Sequence, residues 1–218
     1  MGIAGASCIA GSSVIAGVVP GRGAIAGQAL TSGRGREEGM RRLAEGASPE
    51  AIVGELASAG FDRLGLPLYR IRQYGVASLD FPDAPASYTG PWSLDWHGDA
   101  RGRGVSVQGN TLYGPEVVTD ALAAYGAAAE RCPLADRLVL ALEAGAARGG
   151  DRRCSGQQAA LSAFVIVAKP GDDPTRPWLR LGVDDVELGG PNPVAALRRE
   201  LERWRAGHAN EAGACAAR

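Results

Sequence analysis

Histidine and lysine are nearly missing from this chain. Its 218 residues hold two histidines, His97 and His208, and a single lysine, Lys169. A Ser-His-Asp or Cys-His triad needs an imidazole in the core. His97 falls in a stretch of Trp, Gly and Asp, and His208 in the C-terminal tail, so histidine-based nucleophilic catalysis is not expected. One lysine among many arginines argues against a polybasic tail and against Schiff-base chemistry. The four cysteines, Cys8, Cys132, Cys154 and Cys215, form no C-x-x-C pair. With so few histidines, they do not read as a structural zinc site. Cys132 and Cys154 bracket one helical segment; they either bridge or, in a cytoplasmic protein, remain thiols.

No apolar run reaches the ~18 residues that a membrane span needs. The opening stretch "MGIAGASCIAGSSVIAG" lacks a positive n-region, and glycines break its apolar core, so it is not read as a signal peptide. A net charge of −1 gives no field that would draw nucleic acid or an anionic membrane. The expected setting is cytoplasmic, with export left open because the true start can lie upstream of Met1.

Glycine is abundant instead, at 32 residues, about twice its usual share. It reads as tight turns and close backbone approaches. Residues 1–31 hold apolar runs split by Pro20-Gly21-Arg22-Gly23, a strand–turn–strand pattern. A helix is expected over Arg34 to Glu45. A second starts at Ser48-Pro49, with Ser48 as N-cap, and ends at Gly60. Strands are expected over Ile71–Asp80, Ala86–Gly90 and Val105–Leu112, the last breaking at Gly109-Asn110. "PWSLDWHGDARGRG" reads as a loop. Helices follow Pro115 and Pro133, the latter with Leu134, Leu138, Leu140 and Leu142 inward. Strands over Gln157–Lys169 and Pro177–Asp185 and a helix over Pro193–Arg205 complete the pattern. Hairpin-like strand pairs alternating with paired helices favour a layered α+β sandwich over a doubly wound parallel sheet. Residues 1–207 read as one domain and 208–218 as a disordered tail.

The usual phosphate-loop, dinucleotide and G-x-S-x-G spacings are absent, and no cofactor or metal is expected. Asp184-Asp185 reads as a solvated strand end. One chemistry needs no histidine: an N-terminal Thr, Ser or Cys activated by its own α-amine, assisted by amides and backbone N–H groups aimed at the oxyanion. The chain is well supplied with amides beside glycine: Gln28, Gln73, Gln108 with Asn110, and Gln157. "GGDRRCSGQQ" (Gly149 to Gln158) then places charge and a flexible backbone at the mouth of the most apolar strand. It is either a solvated turn or a loop that holds a ligand.

Several stretches act together here: "GIAGAS" (Gly2 to Ser7), "GRGAIAGQALT", "RQYGV", "SVQGNTLYGPEVV" and "ALEAGAARGGDRR" (Ala141 to Arg153). In that combination the chain resembles the bacterial domain-of-unknown-function family 1028, whose members have an N-terminal-nucleophile-hydrolase-like fold. The resemblance implies an α+β fold, a four-layer α-β-β-α sandwich, with Ser7 and Gln28 on strands near the nucleophile. Gln108 and Asn110 of "VQGN", and Asp151, Arg152 and Arg153 of "GGDRR", would surround the pocket. Asp151 would orient an arginine that reads a substrate carboxylate. Relatives carry a further strand before the "GIAGAS" equivalent, so the first N-terminal strand is expected to be missing here, with Ser7 the nearest hydroxyl. The implied function is an amidohydrolase of this type acting on a small, carboxylate-bearing amide. The alternative is a non-catalytic small-molecule-binding or assembly protein on the same fold. The expected partners are a small-molecule substrate and, through an open strand edge, a second copy of the chain; nucleic acid and membrane are not expected.

Overall fold

The computed structural model describes residues 1–30, 33–61 and 66–216. Thr31, at the end of the expected strand–turn–strand region, and Ala217 and Arg218, at the end of the expected tail, lie outside the described residues. Among the described residues, six α-helices and three antiparallel sheets make up an α+β fold. No helix among them is long and apolar enough to cross a membrane.

The N-terminal apolar region forms three strands, β1 (Gly2–Ser7), β2 (Ala16–Val19) and β3 (Gly23–Gln28). The Pro-Gly-Arg-Gly turn joins β2 to β3, as the sequence suggests. β1 belongs to another sheet, and the chain passes from it to β2 through a left-handed glycine, Gly11 (φ 62°), and a short 3₁₀ turn. β4 (Gln73–Ser78) and β5 (Ala86–Thr89) extend the pair to a four-stranded sheet ordered β2-β3-β4-β5. A three-stranded sheet is ordered β1-β8-β9, with β8 at Ser162–Val167 and β9 at Leu179–Val183. Among the described residues β1 therefore pairs on one side only.

The third sheet is the hairpin of β6 (Trp96–Gly102) and β7 (Val105–Leu112), and here the expected loop is corrected. "WHGDARG" has little strand propensity of its own. Pairing with β7 makes the strand, and Trp96 and Ala100 pack toward the helix layer beside Val107. β7 likewise runs on through Gly109-Asn110, with Thr111 taking a left-handed φ of 57°.

Strand alternation divides the core into layers. Ile25, Tyr74 and Val76 face helices α1 (Gly33–Ala44) and α2 (Pro49–Leu56), meeting Leu43, Ile52 and Leu56. The opposite face, through Val18 and Ala24, meets Phe164 and Ile166 of β8. Ala163, Val165 and Val167, on the other side of β8, pack on Val139 of α4 (Leu134–Ala147) and on Leu197 and Leu201 of α5 (Pro193–Gly207). On α4 Val139 is fully buried, whereas Leu140, expected inward, is only partly buried. α3 (Glu116–Ala127) covers the hairpin through Val117 and Val118. Gly145 lets α4 lie close on α3, since a Cβ there would meet the Val117 carbonyl at 3.0 Å.

Ser48 caps α2 as expected, its Oγ accepting from Ala51 N–H at 3.3 Å. The helix closes at Leu56, short of the expected stop at Gly60. The segment after Gly207, expected to be disordered, carries the one-turn helix α6 (Ala209–Ala212), and Cys215 is bonded to Cys132. The other disulfide joins Cys8 to Cys154. Cys132 and Cys154 thus neither bridge to each other nor remain thiols, the two alternatives the sequence left open. α4 separates Cys132 from Cys154, and each finds a partner brought to it by tertiary structure.

Candidate functional site

The site forms where β1 ends. Pairing with β8 in register sets Ser7 opposite Ser162, and the chain then turns into Cys8. The loop after α4 reaches the same place. Gly149 and Gly150 both take left-handed conformations (φ 95° and 59°), which glycine adopts freely. A Cβ at Gly150 would also strike the Ala159 carbonyl. Beyond this turn Asp151 N–H donates to Ala159 O at 2.9 Å and Arg152 N–H to Thr111 O at 2.8 Å, clamping the loop between β7 and the approach to β8.

Asp151 is only 5% exposed, and its carboxylate is fully engaged. Oδ2 accepts from Ser7 Oγ at 3.2 Å, Cys8 N–H at 2.9 Å and Arg153 Nη2 at 2.5 Å. Oδ1 accepts from Arg153 N–H at 3.1 Å and Nε at 2.9 Å. Arg153 Nη2 also donates to Ser7 Oγ at 3.0 Å. Burial pushes the Asp151 carboxyl up, but the Arg153 hydrogen bond and charge and the Cys8 amide outweigh it and hold it below its ordinary value. The hydrogen bond to Asp151 raises Arg153 in turn. Ser7 is thus held between a carboxylate and a guanidinium. The Cys8–Cys154 disulfide ties together the residues that follow Ser7 and Arg153.

A second polar group faces this triad. In the β3–β4 register Gln28 lies opposite Gln73, and Gln28 Nε2 donates to Gln73 Oε1 at 2.8 Å. Gln73, fully buried, donates to Thr89 Oγ1 at 2.8 Å and to Gly109 O at 2.9 Å, and accepts from Asn110 Nδ2 at 3.2 Å. It is the hub that fixes Gln28, Asn110 and the β7 backbone, so it positions the site without lining it. Gln108 Oε1 accepts from Ser106 Oγ at 2.9 Å. Gly75 makes room for this amide, because a Cβ there would collide with it.

These groups line one cavity of about 290 Å³. Ser7, Gln28, Gln108, Asn110, Asp151 and Arg153 form its polar end. It continues along the whole of β1 to an apolar end walled by Val118, Ala121, Tyr125, Leu138 and Leu142 of α3 and α4. Burial raises the Tyr125 hydroxyl above its ordinary value. Among the described residues, Arg153 Nη1 and Gln108 Nε2 carry no protein hydrogen-bond partner, so both are available to a ligand.

Six of the seven expected site residues therefore meet. Arg152 does not: it is not among the cavity-lining residues, and its Nη1 pairs with Asp95 Oδ1 at 3.3 Å on the surface. Arg153 folds back because the chain turns after Asp151, whose Oδ1 accepts both the Arg153 backbone N–H and its Nε. Neither histidine lines the cavity. His97 Nδ1 sits 2.9 Å from Asp95 O, and His208 stacks on Trp204. Among the described residues no group of three His, Cys, Asp or Glu side chains is placed to hold a metal ion. Sequence reasoning missed Gln73 as the hub and the apolar end. Gln73 stood out only as an amide beside glycine, and its centrality depends on strand register.

Comparison with known proteins agrees with this architecture. A model of the family of unknown function DUF1028 matches residues 1–197. The crystal structure of protein SPO2555 from Silicibacter pomeroyi, assigned to the same family model, superposes with a TM-score of 0.74 at 23% identity, covering 94% of this chain and 82% of that one. No curated protein matches.

Proposed function

Since the chain belongs to the DUF1028 family of unknown function, we propose a function from its cavity: binding of a small, carboxylate-bearing amide. One observation carries this reading. Arg153, oriented by Asp151 beside Ser7, shares a cavity with Gln28, Gln108 and Asn110. Arg153 Nη1 suits a carboxylate oxygen, and the Gln108 Nε2 donor suits an amide carbonyl. The size is at the lower end of the ~300–1,000 Å³ usual for ligand pockets. Helices outside each of two packed sheets support the finer fold reading, an α-β-β-α sandwich of N-terminal-nucleophile-hydrolase type. The two disulfides fit an oxidising compartment better than the cytoplasm.

Amide hydrolysis is the second reading, favoured by the Ser7 hydroxyl at the polar end. Asp151 is a weak base for it, because its carboxylate is stabilised by five hydrogen bonds. A thermal-shift screen of N-acylated amino acids, with product analysis by mass spectrometry, tests both readings. Binding without turnover, retained in Ser7→Ala, supports recognition alone. Turnover lost in Ser7→Ala establishes the hydrolase. A screen in which no carboxylate-bearing amide raises Tm rejects both.

A further inference from the structure

We propose that the amide of the ligand is an unsubstituted carbamoyl group, read at its NH2 by Gln28 and Asn110 and at its C=O by Gln108. This rests on the carboxylate reading above and names the group that the other side chains of the polar end recognise. None of these three side chains belongs to β1; they stand on β3 and β7.

Backbone carbonyls fix which way the amides point. The Gln73 atom that lies 2.9 Å from Gly109 O and 3.3 Å from Gly98 O must be its NH2, since a carbonyl oxygen only accepts. Its Oε1 therefore faces the other way, where it accepts from Gln28 at 2.8 Å and from Asn110 at 3.2 Å. Each of those two residues must then present its own amino end to Gln73. For Gln28 a second carbonyl, Gln108 O at 3.5 Å, takes the remaining N–H. Carbonyl ends are left over. Gln28 Oε1 has no protein partner among the described residues, and it is not sealed in the interior. Asn110 Oδ1 accepts one hydrogen bond, from Thr111 Oγ1 at 3.1 Å, and keeps a second lone pair. Both residues line the cavity. A turned Gln73 would set oxygen against backbone oxygen, so this buried residue holds the polarity of the whole group.

The polar end thus offers acceptors on Gln28 and Asn110 together with donors on Gln108 Nε2 and Arg153 Nη1. The acceptors call for N–H groups on the ligand. A charged amine fits poorly: among the lining residues the acid is Asp151, and its charge is already met by Arg153. A neutral NH2 suits two amide carbonyls. Carried on the same carbon as the C=O that Gln108 takes, it makes a carbamoyl group. The ligand class is then a small carboxylate with a terminal carbamoyl group, such as an N-carbamoyl amino acid. An N-acetyl group has the same shape but sets a methyl against Gln28 Oε1, which strips that carbonyl of water and gives it no donor.

Isothermal titration of the full chain with N-carbamoylalanine and N-acetylalanine tests this, because the two acids differ only by NH2 in place of CH3. N-carbamoylalanine is expected to bind at least about tenfold more tightly. Gln28→Met removes the acceptor at similar length and is expected to bring the two affinities together, with Tm reporting whether the variant is folded. A folded Gln28→Met that keeps the full preference overturns the role given to Gln28. Equal affinity of the wild type for the two acids, or tighter binding of N-acetylalanine, overturns the carbamoyl group while leaving the carboxylate pocket standing, and this comparison decides even if the variant does not fold. Absence of binding by both acids removes the carbamoyl and the carboxylate readings together.

Discussion

Ser7 Oγ lies 3.2 Å from Asp151 Oδ2 although 144 residues separate them in sequence. That contact joins the end of β1 to the turn after α4 at the polar end of the cavity. Arg153 takes its direction from the same carboxylate, so Asp151 is the residue whose loss should be felt most.

Asp151→Asn keeps the shape and removes the charge. Arg153 then loses its ion pair and the Cys8 amide its charged acceptor. Removing a partner from a buried hydrogen-bonded charge costs up to ~3–5 kcal/mol; Arg153 is about half exposed, so a loss of about 2 kcal/mol is expected. Arg152→Ala, which removes a surface pair, should cost less than ~0.5 kcal/mol. Urea denaturation of the two variants measures this, and similar losses in both would show that Asp151 carries no special weight.

The same carboxylate gives a pH signature. Its folded pKa is below the ordinary ~3.9. A depressed carboxyl contributes stability that is present above its unfolded pKa and lost as pH falls through its folded one. The stability gap between wild type and Asp151→Asn should therefore be level above about pH 5 and narrow below about pH 4. A gap that widens toward acid would mean that the ion pair is not formed.

The disulfides make a chemical prediction. Denatured, unreduced protein should show no titratable thiol, and reduction should release all four cysteines. Cys8 and Cys154 are 146 residues apart, so replacing both with alanine should cost about 5 kcal/mol in the loop-closure picture. Two thiols before reduction would show that one of these bridges is not formed.

Gly75 separates packing from recognition. An alanine there must displace the Gln108 amide, since it sits between β4 and β7. Gly75→Ala should weaken ligand binding by about tenfold through the lost donor and lower Tm by a few degrees. Unchanged binding with a normal Tm would show that Gln108 takes no part in recognition.

The sequence was most legible where local chemistry decides the structure. Ser48 before Pro49 caps a helix with its own side chain, and Pro20-Gly21 turns the chain whatever packs around it. Asp151 between glycines and arginines was legible as a candidate for the same reason. Partners supplied by register or by long-range folding were not. β6 exists because β7 pairs with it, Gln73 is central because it faces Gln28 across a ladder, and Cys154 meets Cys8 rather than Cys132 because β1 ends beside the loop. The difference between Arg152 and Arg153 was not legible either, since it depends on the turn in which Asp151 binds the Arg153 backbone and leaves Arg152 to Asp95.

The most direct measurement is isothermal titration of N-carbamoylalanine into wild type and Arg153→Gln at pH 7, with circular dichroism confirming that both are folded. Binding to wild type, weakened about tenfold or more in the variant, is the predicted result. Equal affinity in the two proteins would contradict the claim that Arg153, held by Asp151 beside Ser7, is what the cavity uses to recognise its ligand.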